Sequence, residues 1–340
     1  MTIAFCFNLR RADFFKNQEK AEEQAEFDSP KTIQEIKKAL ESLGHRVILI
    51  EADEKAYLKF KKFRKKIDLV FNYSEGIRGK DREAHIPAIL EMLGIPYTGG
   101  SPLSYALGLN KVKTKEILSF YGIRTPLWQV FESGKEKLSS KLKFPLIVKP
   151  AAEGSSKGIF AENLVKNQKQ LIRIVKKIIK KYHQPALVEE FLEGREFTIG
   201  VLGTPPQVLP IVEIRFDELP ENLPKFDHFE AKWLYDNPKF KADPLVCPAK
   251  ISSSLKKEME AMVLKAFKVL EMADWARFDL RLDKKGRPHI LEVNCPPGIM
   301  PDPRENSRFT RAAFSAGLTF PQLLERVIDS ALKRRKIYAS

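Results

Sequence analysis

Two carboxylates, a carboxamide and an arginine lie close together in the C-terminal part of this chain. Arg277 and Asp279 belong to one apolar run, and Glu292 and Asn294 belong to the next. Both runs are rich in β-branched and apolar residues, and the segment between them, 283–287, contains a glycine suited to a turn. The pattern predicts a β-hairpin that carries all four polar side chains.

The register of this hairpin decides whether the two carboxylates meet. If residues 284–287 form a four-residue loop, Asp283 pairs with Pro288, and Asp279 lies opposite Glu292. The arginine and the asparagine then form the next pair on the same face, because side chains alternate with a period of two. A slip of one residue would send the carboxylates to opposite faces.

Oxygen ligands of this kind suit Mg²⁺, which commonly takes one or two carboxylates together with substrate phosphates. Like charges so close to each other also require a cation between them. We therefore expect a metal site on this hairpin. The alternative is a surface hairpin whose charges are solvated.

A second segment has the composition of a phosphate-binding loop. Residues 144–150 predict a short buried strand that carries Lys149, and residues 151–158 follow it with small side chains and two glycines. Such a loop lets backbone N–H groups approach phosphate oxygens, and a lysine adds a point charge. It is not a Walker loop, because Gly-Lys-Ser/Thr at a helix start is absent. A plain surface hairpin would have a similar composition.

A third segment is suited to an adenosine. Residues 186–192 predict an apolar strand whose backbone could face an adenine edge. Residues 195–201 predict the following strand, in which Glu196 could accept hydrogen bonds from ribose hydroxyls. The alternative is an ordinary core hairpin.

Together these segments resemble the ATP-grasp superfamily and, within it, the D-alanine–D-alanine ligase family. The resemblance extends from about residue 70 to residue 332. The stretches that carry it are Leu93-Gly94-Ile95-Pro96-Tyr97-Thr98-Gly99, Asn110-Lys111, Ile147-Val148-Lys149-Pro150, Glu153-Gly154-Ser155-Ser156, Val188-Glu189-Glu190-Phe191, Glu196-Phe197-Thr198, Glu230-Ala231-Lys232, Arg277-Phe278-Asp279 and Glu292-Val293-Asn294 with Pro297-Gly298.

The resemblance implies a role for each matching residue. It implies that Asp279, Glu292 and Asn294 hold the metal, expected to be two Mg²⁺ ions with Mn²⁺ as an alternative. It implies that Arg277, the backbone N–H of Gly298 and Ser155 act in catalysis. The residues implied at the ATP are Lys111, Lys149, Glu153, Ser155, Ser156, Glu189, Glu190, Phe191, Leu192, Glu196 and, from a mobile loop, Lys232.

The activity implied is ATP-dependent ligation of two amino acids. In such a reaction a carboxylate is first phosphorylated to an acyl phosphate, and an amine then attacks the acyl carbon. Fixed donors must stabilise the resulting oxyanion. The simplest assignment is D-alanine joined to itself for cell-wall synthesis. Two alternatives are the same chemistry on other amino or hydroxy acids, and a basic binding protein that keeps the fold without catalysis.

The departures from the family all concern the amino-acid sites. The family's N-terminal signature is missing, so its ammonium-binding glutamate is Glu22, Glu23, Glu26 or none of them. The family's His-Gly-x-x-Gly-Glu-Asp-Gly is replaced by residues 74–83, and Trp233 replaces a tyrosine. Pro303-Arg304 aligns with the Ser-Leu pair that binds the second substrate's carboxylate, and Arg304 could form a bidentate clamp there or point to solvent.

The order of predicted elements indicates α/β and α+β architecture, an ATP-grasp fold preceded by a parallel-sheet domain. Strands are predicted at 2–7, 46–50 and 68–71, and helices at 30–43, 83–93, 111–121, 252–272 and 321–335. We expect three domains: 1–105 for substrate, 106–185 as a small central unit with the phosphate loop, and 186–340 with the metal hairpin.

The composition of the chain limits the kinds of partner and compartment that we expect for it. The chain has 340 residues, 43% of them hydrophobic, and a net charge of +15. No apolar stretch is long enough to span a membrane, and no signal peptide is recognised. Three widely spaced cysteines form neither a metal pattern nor a disulfide framework, which favours the cytoplasm. We expect small amino-acid substrates and no nucleic acid, because no nucleic-acid-binding module is present. Whether the protein forms a homodimer is left undecided by the sequence.

Overall fold

The structure is a computed structural model that describes residues 1–11, 22, 24–217, 219–221, 223–229, 231, 244–302, 305 and 307–339. Its α-helices are α1 (Pro30–Ser42), α2 (Ala56–Phe63), α3 (His85–Leu93), α4 (Pro102–Leu109), α5 (Lys111–Phe120), α6 (Gln168–Tyr182), α7 (Ser253–Val269), α8 (Arg308–Ser315) and α9 (Phe320–Ala339). Its strands are β1 (Thr2–Phe7), β2 (Arg46–Glu51), β3 (Leu69–Tyr73), β4 (Trp128–Phe131), β5 (Leu146–Pro150), β6 (Leu164–Val165), β7 (Ala186–Glu190), β8 (Glu196–Leu202), β9 (Gln207–Val208), β10 (Val212–Ile214), β11 (Leu245–Val246), β12 (Trp275–Leu282) and β13 (Pro288–Asn294).

The N-terminal part contains the predicted parallel sheet, with strand order β2-β1-β3. Along β1, Phe5 packs into one hydrophobic cluster and Ala4 into another, because successive side chains point to opposite faces. Both faces are therefore buried, as is typical of parallel sheets. The predicted helix 30–43 is confirmed with its last residue at Ser42, and Ser29 accepts the backbone N–H of Thr32 at 3.1 Å.

The predicted second helix begins two residues later than expected. Residues Arg82–Ala84 form a 3₁₀ turn, and α3 begins at His85. The helix ends at Gly94, which has a left-handed φ of 64° as the predicted cap requires. The later start matters for the site, because the 3₁₀ turn before the helix carries Arg82 and Glu83.

The central sheet has strand order β4-β7-β5-β6, and its pairs are antiparallel. Helix α6 covers it with the apolar stripe that the sequence spacing predicts, and Leu171, Ile174 and Val175 are fully buried or nearly so. Strand β7 pairs in this sheet, so the sheet extends past residue 185, where we expected the central unit to end.

The C-terminal sheet has strand order β11-β10-β8-β12-β13, with β9 paired to β8. Its β12–β13 hairpin has the predicted pairs Asp279–Glu292 and Arg277–Asn294. The expected pairing of Asp283 with Pro288 is wrong, because Leu282 is the partner of Pro288.

A β-bulge reconciles these two results. The register shifts by one residue between Asp279 and Leu280, where Leu280 pairs with Ile290 and Leu291 is the extra residue. Without the bulge, Asp279 would lie opposite Leu291 and the second carboxylate would point to the other face. The bulge therefore brings Asp279 and Glu292 onto one face.

The N-terminal and C-terminal sheets share one hydrophobic cluster. Trp275, which is fully buried, packs edge-on against Phe71 at 5.6 Å between ring centroids and against Phe309 at 5.9 Å. This contact ties the parallel sheet to the start of the site hairpin. The three cysteines are free. Within the described ranges, no helix is long and apolar enough to cross a membrane.

Candidate active site

The carboxylate of Asp279 lies at the centre of the hairpin's polar face. It accepts hydrogen bonds from Arg277 Nε at 3.1 Å and Nη2 at 2.9 Å, and from Asn294 Nδ2 at 3.2 Å. The hydroxyl of Thr198, on the neighbouring strand β8, donates to the same carboxylate. These four side chains share one face of the sheet because they occupy opposed or alternate positions of the adjacent strands β8, β12 and β13. The side chain of Asp279 is therefore held in one orientation.

Glu292 has a different partner. Lys111, at the start of α5, places its Nζ 3.2 Å from Glu292 Oε2 and also donates to the carbonyl of Glu153. Each of the two opposed carboxylates thus has a cation beside it, Arg277 for Asp279 and Lys111 for Glu292. Two carboxylates and an amide on one face form a donor set that fits Mg²⁺. No group of three or more His, Cys, Asp or Glu residues suited to a metal occurs in the described ranges.

The loop after β5 adopts a strained backbone. Ser155 and Ser156 have φ values of 50° and 58°, a left-handed conformation that is uncommon outside glycine. Gly154 approaches Glu26 so closely that a Cβ would lie 2.6 Å from Glu26 Oε1. Its N–H donates to that same oxygen at 2.7 Å. The loop is therefore fixed by a carboxylate from the N-terminal segment.

A buried carboxylate between two lysines lies beneath this loop. Glu189 is fully buried and forms ion pairs with Lys115 and with Lys149, the latter at 2.7 Å. Burial opposes ionisation, but the charges of the two lysines outweigh it and hold the pKa of Glu189 below its usual range. Lys115 lies one turn after Lys111 on α5, so a single helix supplies cations to both Glu189 and Glu292.

Two cavities meet at this face. The small cavity, about 60 Å³, lies between the central and C-terminal sheets. Its wall contains Ile147, Lys149, Ser156, Glu189, Glu190, Phe191, Leu192, Glu196, Phe226, Asp227, Asp279, Arg281 and Glu292. In it, Arg281 Nη1 donates to Glu196 Oε2 at 2.7 Å. Burial raises the pKa of Glu196 to about 7, with Arg281 opposing that shift.

The large cavity, about 560 Å³, opens toward the N-terminal part. Its wall contains Arg10, Glu26, Asp28, Tyr73, Glu75, Glu83, Lys111, Glu153, Gly154, Ser155, Arg277, Glu292, Asn294, Gly298, Glu305, Ser307 and Arg308. Glu292 is common to the two walls. The Ser155–Ser156 loop separates the cavities, because its first serine faces the large one and its second the small one.

Comparisons with known proteins agree with this arrangement. The sequence model described as D-ala D-ala ligase C-terminus matches residues 109–329. A protein of Sinorhizobium fredii, y4sG, named as uncharacterized, is 37% identical over 87% of this chain and 86% of its own length. The D-alanine–D-alanine ligase of Glaesserella parasuis is 34% identical over 91% of this chain and 94% of its own. The chain belongs to the D-alanine–D-alanine ligase family.

The fold agrees as well. The crystal structure of the D-alanine–D-alanine ligase from Bacillus anthracis complexed with ATP superposes with a TM-score of 0.75. It covers 99% of this chain and 100% of that one, at 24% identity, so that likeness concerns the fold alone. As a family member the chain is an ATP-dependent C–N ligase of the ATP-grasp fold that uses a divalent metal.

The residues that the family resemblance assigned to ATP divide between the two cavities. Lys149, Ser156, Glu196 and the run 189–192 line the small cavity. Lys111, Glu153 and Ser155 line the large one instead. The carboxylate of Glu153 binds Arg82 at 3.2 Å and Lys157 at 3.0 Å. Lys232 lies outside the described residues, as do Trp233, Arg304 and Glu23.

Two candidates for the family's ammonium-binding glutamate already have cationic partners in this structure. Glu22 binds Lys181 at 2.6 Å and accepts the hydroxyl of Tyr182. Glu26 receives Arg82 Nη2 on its two oxygens, at 2.6 and 2.7 Å, besides the N–H of Gly154. Burial opposes ionisation of Glu26, but Arg82 holds its pKa below the usual range. Both glutamates therefore join the N-terminal segment to the central unit.

Sequence reasoning missed the N-terminus of α8. Ser307 precedes this helix, and its hydroxyl donates to the carbonyl of Gly298 at 3.3 Å and accepts the N–H of Met300 at 3.2 Å. Ser307 and Arg308 line the large cavity, and the Ser307 side chain makes no capping hydrogen bond to the helix. The signal was Ser307 before an amphipathic run, but the resemblance to the family pointed to Pro303-Arg304 instead.

Proposed function

We propose that this ligase joins two amino acids through an acyl phosphate, with D-alanine at both positions as the simplest substrates. One observation carries the proposal. Glu292 belongs to the walls of both cavities, so the metal hairpin lies where a nucleotide in the small cavity would meet a carboxylate in the large one. Phosphoryl transfer from ATP to a carboxylate needs that juxtaposition.

The small cavity has the features of a nucleotide site. Phe191, Phe226 and Ile147 supply apolar surface, Glu196 a hydrogen-bond acceptor, and Lys149 a cation beside the Ser156 loop. When bound, two Mg²⁺ ions held by Asp279, Glu292 and Asn294 would offset the charge of the transferring phosphoryl group.

The large cavity would hold the two amino acids. Arg277 and the exposed backbone of Gly298 line it beside the hairpin and are placed to donate to the oxyanion that forms when the amine attacks. Arg277 reaches Asp279 from there, which fixes its planar guanidinium.

The N-terminus of α8 would bind the carboxylate of the second amino acid. The helix dipole and the Ser307 hydroxyl favour an anion there. Arg308 at this position is buried and pairs with Asp227 through two hydrogen bonds of 2.8 Å. The dipeptide product would enter cell-wall synthesis in the cytoplasm if both substrates are D-alanine.

The test is a phosphate-release screen of single amino acids, in both chiralities, with ATP and Mg²⁺. We expect D-alanine to give the highest rate and D-alanyl-D-alanine as the product by mass spectrometry. A higher rate with another amino acid would keep the reaction and replace the substrate. No release with any amino acid would favour a binding protein that keeps the fold, the alternative that net charge +15 suggests.

A further inference from the structure

An ion pair joins the walls of the two cavities. Arg308, the first residue of α8, lines the large cavity, and Asp227 lines the small one. Arg308 Nη1 donates to Asp227 Oδ2 and Nη2 donates to Asp227 Oδ1, both at 2.8 Å. The arginine side chain is only 5% exposed and that of the aspartate 17%. A buried guanidinium that meets both oxygens of a carboxylate fixes the distance and the orientation between the two elements that carry them.

The aspartate belongs to a segment whose position depends on side-chain contacts. Residues 224–228 lie between β10 and β11 and form neither a helix nor a strand, so no ladder of backbone hydrogen bonds holds them in place. A second arginine supports the same segment, because Arg281 Nη2 on β12 donates to the carbonyl of Lys225 at 2.7 Å. The two arginines therefore hold Lys225 and Asp227, the residues on either side of Phe226.

Phe226 is the side chain that this arrangement positions. It is buried in the wall of the small cavity, where it packs with Ile147 and Ile159. Its ring meets that of Phe191 edge-on, at 5.7 Å between centroids, and the guanidinium of Arg281 lies over the Phe191 ring at 4.7 Å. The apolar surface of the small cavity therefore includes a ring from the segment that the two arginines hold. A shift of that segment would remove the ring from the wall.

We propose that Arg308 is a positioning residue for ATP. It acts through Asp227, which holds Phe226 against the adenosine portion of a nucleotide in the small cavity. The inference rests on the proposed nucleotide site, and it does not depend on which amino acids the enzyme joins. Loss of the ion pair weakens the binding of the adenosine portion. The phosphates are unaffected, because they would meet Lys149 and the metal hairpin instead.

The test compares two ligands that share phosphates and differ in the adenosine. Binding of ATP and of inorganic triphosphate, each with Mg²⁺ and without any amino acid, is measured by isothermal titration calorimetry. We expect Arg308→Met to raise Kd for ATP about tenfold, the size of one well-placed aromatic contact, and to leave Kd for triphosphate unchanged. Asp227→Asn should have the same effect, because it keeps the shape of the side chain and removes the charge that Arg308 binds.

The effects of the two substitutions should not add. If Arg308 acts through Asp227, the double variant binds ATP about as weakly as either single variant. A Kd raised by the product of the two single effects would overturn the proposal, because each residue would then act on ATP independently. Wild-type affinity for ATP in the single variants would overturn it as well. Asp227→Asn alone decides this point if Arg308→Met does not fold.

Arg334→Met is the matched control for a general loss of stability. Arg334 also donates two hydrogen bonds to one carboxylate, that of Asp274, and neither residue lines a cavity described above. We expect this variant to bind ATP as wild type does. An equal loss of ATP affinity in Arg334→Met would overturn the positioning role, because the Arg308 effect would then reflect stability alone.

Phe226→Ala separates the failure of this inference from that of the proposed nucleotide site. It should raise Kd for ATP as much as Arg308→Met does and leave Kd for triphosphate unchanged. If Phe226→Ala has wild-type affinity for ATP, the small cavity does not hold the adenosine, and both proposals fail. If Phe226→Ala weakens ATP binding and Arg308→Met does not, the nucleotide site stands and the role of the ion pair is wrong.

Discussion

The two cavities of this ligase differ in how their charges are compensated. In the small cavity, Glu189 has two lysines and Glu196 has an arginine. In the large cavity, burial raises the pKa of Glu83 to about 8, although the charges of Arg82 and Lys111 oppose that shift. A carboxylate in direct ion pairs with cations favours its ionised form, whereas burial favours the protonated form.

The same contrast appears in the sequence. The stretches that match the family supply the metal hairpin, the loop after β5 and most of the small cavity. The segments that depart from it, 74–83 and the region before α8, line the large cavity. The reaction can therefore be inferred from matching residues, while substrate choice depends on residues that the family does not share.

The strongest challenge to this comparison is the variant Asp279→Asn, which keeps the shape and hydrogen-bonding atoms but removes the charge. We expect kcat to fall on the order of a thousandfold, because a ligand for the divalent metal loses its anionic character. Phosphate release at ordinary Mg²⁺ concentrations checks this, with circular dichroism to confirm the fold. Near-normal turnover would remove the hairpin from the catalytic site.

Glu189→Gln tests whether the paired charges of the small cavity support the fold. Two buried lysines would lose their counter-ion. We expect the free energy of unfolding, measured in urea, to be about 3 kcal/mol lower than that of wild type.

The pH dependence gives a second check on Glu189. Because folding lowers its pKa, the stabilisation is present above the ordinary carboxyl pKa and is lost as pH falls toward the folded-state value. Wild type should therefore lose more stability on acidification than the glutamine variant. Equal losses in both would mean that Glu189 does not stabilise the fold as an anion.

Arg277→Lys separates binding from chemistry where the cavities meet. Lysine keeps the charge but not the planar fork that bonds Asp279 through two nitrogens. We expect kcat to fall by about a hundredfold with KM for ATP unchanged, because the oxyanion exists only during reaction. Steady-state kinetics checks this prediction. A defect confined to KM for ATP would instead assign Arg277 to the nucleotide.

The smallest expected effect distinguishes two candidates for the second substrate's carboxylate. Ser307→Ala should raise KM for the acceptor by about tenfold, or about 1.4 kcal/mol, and leave KM for ATP unchanged. Arg304→Ala is the competing variant, because the family resemblance places Arg304 where the second substrate's carboxylate is bound. If only Arg304→Ala raises the acceptor KM, the N-terminus of α8 is not the carboxylate site.

The sequence by itself determined features that depend on local spacing. Ser29 and Pro30 predicted where α1 begins, and Gly94 where α3 ends, because caps act within one turn. The alternation of apolar and polar residues placed Asp279 and Glu292 on a common hairpin. Separated motifs in the family's order indicated the reaction class, which family membership confirms.

Only the tertiary structure decided which side chains meet across long stretches of chain. The bulge at Leu291 changed the hairpin's pairing beyond Asp279, and no local pattern marked it. The engagement of Glu26 by Arg82, 56 residues away, likewise depends on packing between separate elements. A carboxylate's partner follows from proximity in space, and the sequence records proximity only along the chain.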